Sequence, residues 1–183
     1  PTPTPAYGDN VSQAADPNGF GFYGGAANTP DIALTYTSFQ VGGQGGMTFW
    51  GGYSGNTALG LPFDVSTGEV ALMAAPGFDV TLNSFGVGSD LGSTSNSLKI
   101  LDASHNLLQD YSGTTFSNSA VTTISPGITS SEIIIQFTNW DTGLTGIDFS
   151  QSAVSSVPEP ASFGLLGLGL ALLGAKLRRR QRP

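Results

Sequence analysis

The sequence predicts an all-β domain, a sandwich or barrel of antiparallel strands, followed by one short C-terminal transmembrane helix. Runs of about four to eight residues rich in Val, Ile, Thr and aromatic side chains recur along the chain, separated by Gly, Asn, Asp and Ser. No stretch of the body places apolar residues at helical spacing between capping residues. Near the C-terminus, residues 161–175 form an uncharged run that basic residues follow.

The charged residues divide the chain into an acidic body and a basic tip. Only 10% of the 183 residues are charged, there is one His, and there is no Cys. Residues 1–160 carry 13 acids and one base, Lys99, a net charge of −12, whereas residues 161–183 carry five bases and no acid. The lack of Cys excludes disulfides, a thiol nucleophile and thiolate metal sites. We expect no nucleic-acid partner, because nucleic-acid-binding proteins need a basic surface and this body is acidic.

Nine segments of the body have the pattern of strands. Residues 97–111 are predicted to form a hairpin whose turn, 102–106, is rich in polar turn formers. The run 132–137 is almost continuously apolar, which predicts a central strand covered on both faces. The glycine-rich stretch 42–60 is expected to contribute loops. The nine predicted strands are residues 33–39, 47–50, 70–73, 78–86, 97–101, 107–111, 121–124, 132–138 and 144–149.

The predicted domain organisation has five parts. Residues 1–30, which begin with a Pro-Thr repeat, are expected to be an extended linker, and residues 31–152 are the strand domain. Residues 153–160 form a linker with two prolines, 161–177 the transmembrane helix and 178–183 a basic cytoplasmic tail. The sequence begins without Met and without a basic-then-apolar leader, so we expect a signal peptide upstream.

The C-terminal segment combines three features in a fixed order. Pro158 and Pro160 flank Glu159 and hold the chain extended, because proline lacks a backbone donor and restricts the residue before it. The run 161–175 would span roughly 22 Å as a helix, which is short for a bilayer core of about 30 Å. Four basic residues close the span, Lys176, Arg178, Arg179 and Arg180, and the arginines are expected to stay in the cytoplasm.

The order VPEPAS, then a span rich in Gly and Leu, then KLRRR, over residues 157–182, resembles the PEP-CTERM sorting signal of exported bacterial proteins. The resemblance implies that Pro158, Glu159 and Pro160 are recognised by exosortase, a membrane-embedded cysteine peptidase, and that the basic cluster is the membrane stop signal. It implies export across the inner membrane, through a single-pass intermediate with a cytoplasmic C-terminus, to the cell surface or the exterior. A permanent single-span anchor is the alternative.

A second resemblance covers residues 71–150. The order FDVTLNSF, SLKILDASHNLL, EIIIQFTNW and GIDFS is similar to the jelly-roll sandwich in many exported PEP-CTERM proteins, itself similar to galactose-binding-like domains. It implies a jelly-roll-like β-sandwich. Phe149 follows Asp148 where that pattern has Asn, so the resemblance carries no closing-turn contact to this chain.

Few side chains of the body suit catalysis. His105, the single histidine, lies in the polar turn DASHN, so we expect a solvated turn residue and no Ser-His-Asp triad. Glu69 and Glu132 are the candidates for the carboxylate pair of a glycoside hydrolase, but most aspartates lie in turns, where they cap their own backbone. We therefore expect no enzyme activity, and a glycan-active enzyme is the minor alternative.

Two binding functions fit the loops of the body. Asp31, Asp141 and Asp148 could supply hard oxygen ligands to calcium, although no DxDxDG spacing is present. Trp50, Tyr53 and Trp140 lie beside glycines, amides and carboxylates, which is the chemistry of a carbohydrate site. The alternative is that these aromatics close the ends of the sandwich.

The expected function is that of an exported cell-surface or extracellular-matrix protein, processed by exosortase and associated with exopolysaccharide in a structural role. The export signal and its resemblance lead to this interpretation, which assigns the body no turnover. A lectin-like carbohydrate-binding module is the alternative.

Overall fold

A computed structural model of the chain describes residues 13–15, 21–23, 29–40, 46–54, 56–61, 65–91 and 97–154. The sorting motif, the predicted transmembrane helix 161–177 and the basic tail lie outside these residues. No helix within the described ranges is long and apolar enough to cross a membrane. The strands in these ranges are β1 (Gln13–Ala15), β2 (Gly21–Tyr23), β3 (Ile32–Gln40), β4 (Thr48–Tyr53), β5 (Asn56–Gly60), β6 (Val65–Ala74), β7 (Phe78–Ser89), β8 (Leu98–Leu101), β9 (Leu107–Asp110), β10 (Thr122–Ile124), β11 (Ile128–Ser130), β12 (Glu132–Thr138) and β13 (Thr142–Ala153).

Five strands form an antiparallel sheet in the order β3-β6-β12-β8-β9. Its central strand is β12, which pairs with β6 along its whole length and with β8 over its second half. Ile133 and Ile135 are fully buried on one face, and Ile134 is only 3% exposed on the other. The predicted central position of this strand is therefore confirmed, as is the β8–β9 hairpin, but the face that carries Ile134 also carries the partly exposed Glu132 and Gln136, so it is less covered than predicted.

The second sheet, of eight strands, is built around β13. This strand pairs antiparallel with β7 from Thr142 opposite Ser89 to Ala153 opposite Phe78. On its other side β13 pairs antiparallel with β5 and in parallel with β2, while β4 pairs with β5 and β1 with β2. β10 and β11 pair with successive parts of β7. All strand pairs of both sheets except β2–β13 are antiparallel among the described residues.

Side chains from both sheets form one hydrophobic core, so the domain is a β-sandwich and the predicted all-β fold class is confirmed. Apolar residues alternate along the strands, and burying them removes their surfaces from water at a gain of roughly 25 cal/mol per Å². The core includes Leu34, Val70 and Leu72 from the five-stranded sheet and Val80, Leu82, Phe85, Val87, Leu144, Ile147 and Phe149 from the other.

Two bulges keep the long β7–β13 pair in register with this core. Leu144 and Ile147 are both fully buried although they are three residues apart, because Thr145 has no opposite residue on β7. Asn83 is the extra residue on β7, between the partners of Asp148 and Phe149. Each bulge changes the face on which the following side chains lie, so the apolar residues of both strands stay inside.

All nine predicted strands are present, and four further strands are not predicted by the apolar pattern. The stretch 42–60 was expected to contribute loops around the predicted strand 47–50, but it also contains β5, in which Gly60 lies against Trp50 and Tyr53 instead of in a turn. β1 and β2 lie within residues 1–30, and β11 is a three-residue strand held by β7.

Candidate functional site

Three aromatic side chains singled out in the sequence meet at one end of the eight-stranded sheet. Trp50 and Tyr53 lie on β4, and Trp140 lies in the turn between β12 and β13. The exposed Asp90 follows directly after β7. These residues line an aromatic cleft of about 100 Å³ whose walls are Trp50, Gly51, Tyr53, Leu61, Asp90 and Trp140.

A bulge in β4 allows Trp50 and Tyr53 to line the same cleft. The register against β5 shifts between them, so that Trp50 pairs with Ala58 and Tyr53 with Asn56. Residues three positions apart point to opposite faces of a regular strand. Glycines occupy both positions between the aromatics, and Gly52 adopts φ of +102°, a conformation that side-chain-bearing residues rarely adopt.

The two β4 aromatics differ in their exposure. Trp50 is 40% exposed, whereas Tyr53 is 4% exposed and its hydroxyl donates a hydrogen bond to the Trp140 carbonyl oxygen. Burial, reinforced by the negative charges of Asp90 and Asp141, raises the pKa of Tyr53 well above its ordinary value. Tyr53 therefore stays protonated and fixes the turn, while Trp50 offers ring surface to a ligand.

Two glycines give the aromatic rings their space. A Cβ atom on Gly60 would lie 3.1 Å from the Tyr53 hydroxyl oxygen and 3.2 Å from Trp50 Cδ1. A Cβ atom on Gly143 would lie 2.7 Å from the Ala58 Cβ and 3.0 Å from Tyr53 Cδ1. Larger residues at either position would displace the rings, so these glycines help to determine the shape of the cleft.

Asp141 holds the segments that carry Asp90 and Trp140. Its side chain is buried, and it accepts hydrogen bonds from the Ser89 hydroxyl at 3.0 Å, the Asp90 amide at 3.1 Å and the Leu91 amide at 2.6 Å. The preceding Asn139, at φ of +82°, turns the chain and accepts a bond from the Asp141 amide through its side chain. Asp141 is a positioning residue for the cleft, while Asp90 presents an exposed carboxylate to it.

The three carboxylates proposed for calcium lie in separate surroundings. Asp31 exchanges two hydrogen bonds with Gln151, at 3.0 and 2.9 Å. Asp148 accepts a bond from Asn83 at 3.3 Å and lines a different cavity, of about 200 Å³. Across the described ranges, no three of His, Asp and Glu lie close enough together to hold one metal ion. Calcium binding remains a prediction without an assembled site in these ranges.

A buried glutamate contacts the single histidine, which the sequence did not indicate. Glu69 on β6 is 7% exposed and accepts a hydrogen bond from Gln136 Nε2 at 2.7 Å. His105 Nε2 lies 3.3 Å from both Glu69 carboxylate oxygens, so the β8–β9 turn reaches across β12 to β6. His105 is exposed, as predicted for a turn residue, but it is also tied to the sheet.

The proposed acid pair does not lie at one level of the sheet. Glu132 pairs in register with Met73, whereas Glu69 pairs with Gln136. Four strand residues separate the two positions, which is about 13 Å at roughly 3.3 Å per residue. Glycoside hydrolysis requires carboxyl groups about 5–9.5 Å apart, so the register offers no support for a hydrolytic pair.

Comparison with known proteins identifies the C-terminal segment. Residues 156–180 match the PEP-CTERM protein-sorting motif, a match that includes Pro158, Glu159 and Pro160. No curated protein matches the chain. The motif confirms the predicted resemblance, and it implies export with exosortase as the processing enzyme. The match begins at residue 156, after β13 has ended at Ala153, so it concerns export of the chain and does not describe the sandwich or its cleft.

Proposed function

We propose that this exported protein resides at the cell surface or in the extracellular matrix and that its sandwich binds exopolysaccharide through the aromatic cleft. The observation that carries the proposal is the convergence of Trp50, Tyr53, Trp140 and Asp90 on one cleft of a chain with an exosortase sorting motif. In this proposal the sandwich holds the protein on the polysaccharide and does not catalyse a reaction.

The composition of the cleft fits sugar chemistry. A sugar ring presents apolar C–H groups on its faces and hydroxyls at its edge, so it packs on an exposed aromatic ring and bonds to a polar neighbour. Trp50 supplies exposed ring surface, and Asp90 supplies an acceptor on the same wall. The hydroxyl of Tyr53 is already engaged with Trp140, so it organises the site.

The size of the cleft favours a polymer over an enclosed small molecule. Pockets for drug-sized ligands usually measure about 300–1,000 Å³, whereas this cleft measures about 100 Å³. A cleft of this size accommodates part of one sugar unit, and the rest of the chain continues over the surface. Each such contact is weak, but many copies of the protein bound along one polysaccharide chain together hold the protein in the matrix.

The test is co-sedimentation of the 183-residue chain with exopolysaccharide extracted from its host. Trp50→Ala should raise the dissociation constant about tenfold, which corresponds to a loss of about 1.4 kcal/mol for an aromatic anchor. Phe39→Ala is the matched control, because Phe39 is 48% exposed on β3 of the other sheet. Equal retention of both variants would contradict glycan binding at the cleft and favour a structural role without glycan affinity.

The finer topology of export is part of the same proposal. Residues 161–177 span the membrane transiently with the Lys176 side chain extended to the interface, Arg178–Arg180 stay in the cytoplasm, and exosortase acts at the Pro-Glu-Pro strip. The double variant Pro158→Ala, Glu159→Ala should trap full-length protein in the inner membrane, while Val154→Ala with Ser155→Ala, outside the motif, should be released normally. Intact mass of the membrane and released fractions distinguishes these results, and unchanged release of the motif variant would refute the sorting step.

A further inference from the structure

We infer that the aromatic cleft selects glycans that carry protonated amino groups and discriminates against uronic-acid polymers. This inference rests on the proposed glycan-binding function and adds the chemical class of the ligand. It is carried by the placement of one exposed carboxylate beside the exposed aromatic ring, in a domain with almost no positive charge.

Asp90 lies where it can reach a sugar stacked on Trp50. The carboxylate oxygen Oδ1 of Asp90 is 3.4 Å from the position that a Cβ would take on Gly52, in the β4 bulge next to Trp50. The backbone amide of Asp90 is fixed by the Asp141 carbonyl oxygen at 3.2 Å and by the Asp141 carboxylate at 3.1 Å. The side chain of Asp90 itself is exposed and faces the cleft that Trp50 lines.

The charges of Asp90 and Asp141 act together on the cleft. Both are among the causes that raise the pKa of Tyr53, the residue between Trp50 and Trp140 at the base of the site. The buried carboxylate of Asp141 is screened little by solvent, so its charge adds to that of Asp90. A ligand in the cleft therefore meets the exposed carboxylate of Asp90 directly, and the buried carboxylate of Asp141 adds to the negative potential from behind the lining residues.

No base in the described part of the sandwich offsets these charges at the cleft. Lys99 is the one base among residues 1–160, and it lies on β8 of the five-stranded sheet, in register with Gln136 and Asp110. The cleft belongs to the eight-stranded sheet. An ammonium group on the sugar is attracted to the charge of Asp90, a neutral sugar offers that carboxylate only hydroxyl hydrogen bonds, and a uronate is repelled.

The experiment measures binding of three hexasaccharides to the 183-residue chain by calorimetry at low ionic strength. The probes are β-1,4-linked glucosamine, the same hexamer with every amine acetylated, and galacturonic acid, at a pH where the amines are protonated. The amine hexamer should bind about fivefold more tightly than the acetylated one, the range of an exposed ion pair. Added salt should reduce that difference, and the uronate should bind most weakly.

Two variants assign the preference to Asp90. Asp90→Asn keeps an amide oxygen that can accept from a sugar hydroxyl, so it should reduce amine-hexamer affinity to the level of the acetylated hexamer, and an unchanged midpoint of urea unfolding shows that the variant is folded. Asp79→Asn removes the same charge at the opposite end of β7 and should change neither affinity. Equal effects of the two variants would indicate net charge alone and overturn the inference.

The outcomes separate this inference from the function on which it rests. If the acetylated hexamer binds through Trp50 but the amine gives no advantage, the glycan-binding proposal stands and the amine selectivity is refuted. If no hexamer binds and Trp50→Ala leaves co-sedimentation with exopolysaccharide unchanged, both the glycan-binding proposal and the amine selectivity are refuted. If the uronate binds as tightly as the amine hexamer and Trp50→Ala weakens both equally, so that the uronate is bound at the cleft and not at the basic tail, the assigned role of Asp90 is wrong.

Discussion

Replacing Asp141 by Ala removes the buried carboxylate that holds the end of β7 beside Trp140. Three donors lose their acceptor: the hydroxyl of Ser89 and the amides of Asp90 and Leu91. Hydrogen bonds to a charged partner contribute about 1.5–3 kcal/mol each, so the three bonds together set an upper limit of about 4.5–9 kcal/mol.

The surroundings of the three donors reduce this limit. Asp90 and Leu91 are exposed residues, so water can replace the lost acceptor at their amides, and the Asp90 amide retains the Asp141 carbonyl oxygen at 3.2 Å. Ser89 is fully buried, and its hydroxyl is left in a cavity vacated by the carboxylate. We expect a loss of about 3 kcal/mol, because one buried hydroxyl loses a charged acceptor and two exposed amides exchange theirs for water.

Asp141→Asn is the matched variant. Its amide oxygen can still accept from the two backbone amides, and its NH₂ group can donate to the Ser89 hydroxyl, which rotates to accept. The loss of charge alone should lower the free energy of unfolding by about 1 kcal/mol. The order of stability is therefore wild type, then Asn, then Ala.

Urea denaturation of the 183-residue chain in mild detergent, followed by tryptophan fluorescence and circular dichroism, measures these losses. With an m-value of about 1–3 kcal/mol per molar urea, the Ala variant should unfold about 1–3 M earlier. A loss below about 1 kcal/mol for Asp141→Ala, or equal losses for Ala and Asn, would refute the positioning role of Asp141.

Three further outcomes are expected. Gly143→Ala should lower the free energy of unfolding by about 2 kcal/mol and weaken glycan binding, because the added Cβ would lie 2.7 Å from the Cβ of Ala58. Gly51→Ala is the control, since a Cβ at that position meets open space and should leave stability nearly unchanged. Equal melting temperatures of the two variants would contradict this. Ile135→Ala should cost about 2–5 kcal/mol by calorimetric melting, since Ile135 is fully buried in the central strand, and a smaller loss would mean that the core collapses around the cavity. Hydrogen bonds from the side chain and backbone of Asn106 hold the pKa of Asp102 below its usual range. The ionised Asp102 therefore stabilises the fold at pH values above its pKa in the unfolded chain, and this contribution is lost as pH falls through its lower pKa in the folded chain. An NMR titration in which Asp102 keeps its ordinary pKa would contradict this.

The sequence was informative wherever apolar alternation continues through a strand. The central strand β12 was predictable because Ile133, Ile134 and Ile135 leave no polar face, and the β8–β9 hairpin because a polar turn separates two short apolar runs. The second strand of the β4–β5 hairpin was not predictable, since Gly60 resembles a turn residue and acts instead as a contact for Tyr53. Whether such a glycine lies in a turn or in a strand depends on the side chains that pack against it, and these come from other parts of the chain.

Residue types in the site could be predicted from the sequence, but their positions could not. Trp50, Tyr53 and Trp140 stood out as aromatics among polar neighbours, yet only the bulge in β4 and the turn at Asn139 bring them together. The contribution of Asp90 was missed, because an aspartate after a strand is ordinarily a turn residue. The tie between Glu69 and His105 likewise depends on a turn crossing a neighbouring strand, which local spacing does not encode.

The position of β13 in the chain has a consequence for the order of folding. β13 is the hub of the eight-stranded sheet and the last strand of the sandwich, and it ends at Ala153, five positions before Pro158. Synthesis proceeds from the N-terminus, so β13 is made after β2, β5 and β7. Until β13 is available, each of these three strands has one edge without its hydrogen-bonding partner. The exported body therefore completes its fold only when the residues next to the processing signal have been delivered, so closure of the sandwich and arrival of the sorting motif are consecutive events on one chain.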